Sequence, residues 1–163
     1  SLDAANTALG YAKEGESITI LNPAPAQPLG KNILRLCDFV TPNEIEAEQI
    51  TGIPVKTISD AEVAADKLLE KGASAAVITL GEQGALFKDS KQIIHQPSFQ
   101  VGPIVETTGA GDAFNGGLAV ALAEEMPIDK ALRFACATAS ISVTRPGTAP
   151  SMPDRNEIDA LLI

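Results

Sequence analysis

Residues 75–80 read Ala-Ala-Val-Ile-Thr-Leu, a continuous apolar run that is too short for a helix and offers no polar face to water. Such a run is typical of a strand buried on both faces, so the chain needs a sheet with cover above and below. The segment before it supplies cover. Residues 59–71 form the clearest amphipathic pattern, with Ser59 as cap, Glu62 completing a capping box, an apolar face of Val63, Ala64, Leu68 and Leu69, and Gly72 as the stop. Two further short strands are expected at 17–21 and 37–41. A helix is expected at 2–13, and another over 43–51 with Ile45, Ala47 and Ile50 inward and Gly52 ending it. This alternation predicts parallel βαβ units in an open, layered α/β sheet. From residue 84 the pattern changes to two short strands, 85–88 and 93–96, linked by Asp89, Ser90 and Lys91 as a hairpin. The last third reads as helices over 109–124, 128–143 and 156–162, split by Pro127 and a Pro-Gly-Thr-Ala-Pro loop.

The 163 residues permit one compact domain burying roughly two-thirds of its unfolded surface. With 12 basic against 21 acidic side chains the net charge is −9, which argues against a nucleic-acid partner. A nucleotide site in this chain therefore has to use backbone N–H groups, helix ends and metal ions. Cys37 and Cys136 stand far apart in apolar surroundings without a zinc-ligand pattern and read as reduced thiols. His95, the single histidine, falls on the hairpin with no catalytic partner nearby in sequence and reads as solvated. No signal peptide and no apolar stretch approaching 18 residues is present, which predicts a soluble cytoplasmic protein without a membrane partner.

Chemistry concentrates at residues 105–117, Val-Glu-Thr-Thr-Gly-Ala-Gly-Asp-Ala-Phe-Asn-Gly-Gly. An extended apolar segment, 99–105, turns on glycines into a helix. That leaves the first helical N–H groups pointing outward, where the helix dipole favours an anion. Asp112 falls in the first turn, and a carboxylate beside a phosphate cradle suggests a base. The same residues also read as a plain helix start, with Thr107 or Thr108 as N-cap and Asp112 complementing the dipole.

Three more segments accompany it in order: Asn-Pro-Ala-Pro-Ala at 22–26, Thr-Pro-Asn-Glu-Ile-Glu-Ala-Glu at 41–48 and Thr-Leu-Gly-Glu-Gln-Gly at 79–84. Together with the glycine turn and Val-Thr-Arg-Pro-Gly-Thr-Ala-Pro-Ser-Met-Pro at 143–153, they resemble the C-terminal half of the PfkB-type carbohydrate kinases, in the ribokinase-like group. The resemblance covers essentially the whole chain. It implies a ribokinase-like fold, a Rossmann-like layered α/β/α architecture with a mostly parallel sheet. It also implies that residues 1–163 are the nucleotide-binding and catalytic part of a longer protein whose sugar-binding segment and β lid lie elsewhere. The implied activity is ATP-dependent phosphorylation of a primary hydroxyl of ribose or a related sugar. Another sugar, a sugar phosphate, a nucleoside or a non-catalytic nucleotide-binding role are the alternatives. These 163 residues alone are expected to bind nucleotide weakly and to phosphorylate no sugar at a useful rate.

By the same resemblance, Gly109, Ala110 and Gly111 form the anion hole and Asp112 is the base for the sugar hydroxyl. Asn43 and Glu46 match an Asn-x-x-Glu element linked to Mg2+ and phosphate, and their spacing alone is equally that of a helix cap and box. Thr79, Leu80, Gly81, Glu82, Gln83 and Gly84 line the ATP site, to which Asn43, Gly111 and Asp112 also contribute. Cys136 falls near the adenine or merely packs. Glu106, Thr108, Ser142, Arg145, Gly147 and Ser151 align with loops that enclose a monovalent cation, K+. The family usually has Asp where Glu106 stands, and the alternative is a structural loop pairing Glu106 with Arg145. The full-length protein is expected to be a homodimer.

Overall fold

The computed structural model describes residues 2–25, 27 and 29–163. The chain divides into two compact units, one comprising residues up to Leu80 with Leu86–His95, the other Gly81–Ala85 with Gln96–Ile163.

The first unit holds α1 (Leu2–Glu14), β1 (Ile20–Leu21), α2 (Lys31–Leu34), β2 (Phe39–Val40), α3 (Glu44–Thr51), α4 (Ile58–Glu70), β3 (Ala75–Thr79), β4 (Ala85–Lys88) and β5 (Ile93–Gln96), the last two reaching its boundary. The strands form one sheet in chain order. β1, β2 and β3 are parallel, with Ile20 opposite Phe39 and Val40 opposite Ala76. β4 and β5 are joined by a short turn, so they run antiparallel and the sheet is mixed. The Asp89 carboxylate builds that turn by accepting the N–H groups of Lys91 at 2.7 Å and Gln92 at 2.8 Å. The first four residues of β3 are buried, as its unbroken apolar run requires. Leu34, Val40, Ala47, Leu68, Ile78 and Leu86 meet in one core.

Three local expectations shift. β1 is shorter than residues 17–21 because the Ser17 N–H bonds back to the Ala12 carbonyl at 2.9 Å, closing the end of α1. The Thr19 hydroxyl donates to the Leu36 carbonyl at 2.6 Å, and its N–H to the Asp38 carboxylate at 2.8 Å. In α3, Ile45 is 67% exposed and Glu46 is buried instead, because the capping box turns that carboxylate back onto the Asn43 N–H. α4 starts earlier than Ser59, with Thr57 as cap and Asp60 as its box partner. The Asp60 carboxylate also accepts the Lys56 N–H at 3.1 Å, and the helix buries Ala61, Ala64, Ala65 and Leu68 while Val63 is exposed.

The second unit is helical, with α5 (Ala110–Ala123), α6 (Ile128–Ser142) and α7 (Arg155–Leu162). α5 and α6 pack closely through Gly117, where a Cβ would lie 2.7 Å from Thr138 Oγ1 and 3.0 Å from Ala135 Cα. α7 is capped by a box between Asp154 and Glu157 and buries Ile158. Arg155 links α7 to the end of α5 through Glu124 and lies 5.1 Å from the centre of the Phe134 ring. The segment 99–105 joins no strand. Its ends are held on α6 side: the Phe99 N–H bonds Ser140 Oγ at 3.1 Å, and the Val105 N–H bonds the Val143 carbonyl at 2.8 Å.

Candidate active site

In the first unit the loops that leave β1, β2 and β3 are tied to one another. Asn22 donates its side-chain N–H to the Thr41 carbonyl at 3.4 Å, and the Thr79 N–H donates to the Pro42 carbonyl at 3.0 Å. Asn43 and Thr79 form a parallel bridge beyond the strand ends. The 22–26, 41–48 and 79–84 segments thus begin side by side at the carboxyl edge of the parallel strands, where open α/β sheets bind ligands. Ala26 lies outside the described residues.

Asn43 and Glu46 do serve as cap and box. Asn43 Oδ1 accepts the Glu46 N–H and Glu46 Oε2 accepts the Asn43 N–H, both at 2.9 Å. The pair is therefore preorganised, with one carboxylate on a well-defined helix start. Among the described residues no cluster of three His, Cys, Asp or Glu side chains is placed to hold a metal ion. A single carboxylate with an amide suits Mg2+ that arrives with the phosphates of a nucleotide and keeps most of its water.

Within the second unit, residues 81–84 form a tight turn: Gly81 and Gly84 have φ of +52° and +91°, and the Gly84 N–H bonds the Gly81 carbonyl at 3.0 Å. A Cβ on Gly84 would fall 2.0 Å from the Gln96 carbonyl oxygen, so only glycine lets these backbones meet. Ser98 Oγ donates to the Glu82 carbonyl at 2.6 Å. Cys136 Sγ lies 3.8 Å from that same Gln96 carbonyl, which brings it to the turn predicted to line the nucleotide. It is buried, and burial pushes its thiol up to about 12, so it remains a protonated thiol.

The start of α5 holds the other candidate residues. Gly109 takes the left-handed conformation at φ +83°, and no side chain caps the helix. Neither Thr107 nor Thr108 is the N-cap. The Thr108 hydroxyl is engaged with the Glu106 carboxylate instead, and Thr107 contributes its carbonyl to the Ala110 N–H at 3.1 Å. A Cβ at Gly111 would meet no heavy atom within 4 Å, and Gly111 and Asp112 are both exposed. A helix start without a side-chain cap, with open space at its second residue and an exposed carboxylate at its third, is an arrangement that can accept an anion.

Glu106 is anchored by the Gly147 N–H at 2.7 Å. That bond, followed by the one from Thr108, holds its carboxyl below the ordinary carboxylate range. The N–H groups of Val105 and Glu106 both reach the Val143 carbonyl, so the 105–108 and 143–148 loops are one structure. Arg145 does not pair with Glu106. Its guanidinium engages the Glu157 carboxylate through two hydrogen bonds. The hydroxyls of Ser142 and Ser151 are turned to local carbonyls, Ala139 and Thr148. Glu157, the partner that Arg145 takes, was not singled out in the sequence, where the Asp154-x-x-Glu157 box pattern marks only the start of α7.

The chain belongs to the pfkB family of carbohydrate kinases, whose sequence pattern it matches over residues 1–155. It is 42% identical over 158 residues to ribokinase of Haemophilus influenzae, covering 96% of this chain and 51% of that protein. Deoxyribokinase of Salmonella typhi is 38% identical over 156 residues, covering 95% and 51%. Among solved structures, Arabidopsis thaliana ribokinase complexed with ribose and ATP superposes with a TM-score of 0.93 at 32% identity, covering 98% of this chain and 52% of that one. The chain spans about half the length of the curated relatives it matches, and the likeness establishes the ribokinase-like α/β fold for that half.

Proposed function

We propose that this chain is the nucleotide-binding and catalytic part of an ATP-dependent sugar kinase that transfers the γ-phosphoryl group to a primary hydroxyl of ribose or a closely related sugar. The observation that carries the reading is the uncapped, glycine-opened start of α5 with Asp112 exposed in its first turn. Family membership and the ribose and ATP bound in the Arabidopsis relative support it.

Phosphoryl transfer needs a cradle for the moving group, compensation of its charge and a base for the attacking hydroxyl. The backbone N–H groups of the Gly109–Gly111 turn supply the first, that of Ala110 exchanging its bond to the Thr107 carbonyl for a phosphoryl oxygen, and the carboxylate of Asp112 takes the hydroxyl proton as the bond to phosphorus forms and the bond to ADP breaks. Asn43 and Glu46 would hold nucleotide-borne Mg2+ through its water, and the ion would offset phosphate charge. Residues 79–84 and Cys136 wall the nucleotide. Glu106, with Thr108 and the carbonyls of the 142–151 loop, would hold K+. The same reading makes the full-length protein a cytoplasmic homodimer working on small molecules, in keeping with its acidic balance.

The test is Asp112→Asn in the full-length protein, assayed for ATP-dependent phosphorylation of ribose and deoxyribose. Loss of the base is expected to lower turnover by about 10²–10⁴-fold while nucleotide binding persists. Near-normal turnover would remove Asp112 from the mechanism. Absence of sugar phosphorylation by the wild-type protein would remove the reading itself.

A further inference from the structure

The ion pair between Arg145 and Glu157 ties the 143–148 loop to α7, and the contacts of that loop lead to the start of α5. Glu157 is itself fixed, since its Oε2 accepts the Asp154 N–H at 2.9 Å and its own N–H donates to Asp154 Oδ1 at 3.0 Å. A carboxylate locked in a helix cap is a rigid anchor, and a guanidinium engaging it with two nitrogens is fixed in direction as well as distance. Pro146 follows Arg145 and restricts the next step of the backbone. Gly147, at φ +85°, then turns its N–H onto Glu106 at 2.7 Å. Thr148 completes the chain of contacts: a Cβ added to Gly109 would lie 3.2 Å from Thr148 Cγ2, so this side chain packs directly on the residue that opens α5.

We propose that the Arg145 and Glu157 pair is a positioning device: it fixes the 144–148 loop, and that loop, through the Gly147 N–H on the Glu106 carboxylate and the Thr148 side chain on Gly109, sets the 106–109 turn from which the phosphate cradle and Asp112 project. Arg145 and Glu157 are positioning residues and touch no substrate. The proposal rests on the function proposed above for α5. With its side chains 35% and 39% exposed, the pair contributes only modestly to global stability. Misplacing reacting groups by a fraction of an ångström, in contrast, is costly to the rate.

The experiment uses the full-length protein with Glu157→Gln, which keeps a side chain able to complete the cap but removes the ionic anchor. Expected are a kcat lower by about tenfold, a KM for ATP within about twofold of wild type and an almost unchanged melting temperature. Amide hydrogen exchange is expected to accelerate over 143–148 and 106–111 and not in α6. Arg145→Gln, which leaves the cap intact, is expected to reproduce both effects, and Arg145→Lys to recover part of the rate. Wild-type kcat together with unaltered exchange over 143–148 overturns the proposal, as does a rate loss that merely follows the fraction of protein unfolded. If the wild-type protein phosphorylates no sugar, the kinase reading falls. The exchange rates at 106–111 in the two variants then still decide whether the pair sets the α5 start.

Discussion

Gly116 and Gly117 are neighbours in the middle of α5, and the same substitution at each should move stability in opposite directions. Alanine in place of glycine favours a helix interior by roughly 0.8–1.0 kcal/mol. At Gly116 a new Cβ meets no heavy atom within 4 Å, so Gly116→Ala should realise most of that gain. At Gly117 the Cβ would stand 3.0 Å from Ala135 Cα, a backbone atom that moves only if the two helices separate. It would also stand 2.7 Å from Thr138 Oγ1, a hydroxyl that is buried and bonded to the Phe134 carbonyl at 2.8 Å. Overpacking of this kind costs about 1–3 kcal/mol, enough to cancel the helical gain and usually to exceed it. Gly117→Ala should therefore leave the protein less stable than Gly116→Ala by roughly 1–3 kcal/mol. Urea denaturation of the two full-length variants, followed by circular dichroism, measures the difference directly. Equal midpoints, or a higher one for Gly117→Ala, would refute the claim that α5 and α6 are in contact at this residue.

Two further outcomes concern protonation. At Asp38 burial acts most strongly and pushes the carboxyl up, but hydrogen bonds from Lys13 and then from the Thr19 N–H and hydroxyl outweigh it and hold the group below its ordinary value of 3.8. A pKa depressed in the folded state means that its stabilising contribution is complete above the ordinary carboxylate range and drains away as pH falls through the lower folded value. A carbon-13 titration of Asp38 should give a midpoint under 3.8, and a midpoint above it would contradict the hydrogen bonding described. Burial, followed by the charge of Asp38, pushes the Cys37 thiol up to about 11, and burial alone pushes Cys136 up to about 12. Alkylation at pH 8 followed by mass spectrometry should leave both unmodified in the native protein and label both after denaturation. Labelling of native Cys136 would mean that its helix opens.

What the sequence made legible were the features that local chemistry decides alone. The β4 and β5 strands lie where the alternation and the Asp89 turn put them, and the α5, α6 and α7 limits agree to within a residue or so. The helix starts were harder to place. Thr57-x-x-Asp60 and Ser59-x-x-Glu62 are both valid boxes two residues apart, and only the extra bond from Lys56 to Asp60 separates them. At the site, the segments proposed to carry phosphate chemistry stood out because glycine, proline and carboxylate patterns mark them. The partner of Arg145 did not. Glu106 and Glu157 are both carboxylates within reach in sequence terms, and the choice depends on the Gly147 N–H claiming the first.

The bridge between Asn43 and Thr79 has a practical corollary for anyone lengthening or recombining this protein. Because the backbone pairing of β2 with β3 continues past both strand ends, the stretch from Val40 to Glu46 and the stretch from Ile78 to Gly81 contain no slack. One inserted residue in either would displace the other, whereas the exposed turn at Ser90 and Lys91, held only by Asp89, has room for extra length. Tags, probes and crossover points belong at that turn, and natural variation in loop length should be found there rather than beside Asn43.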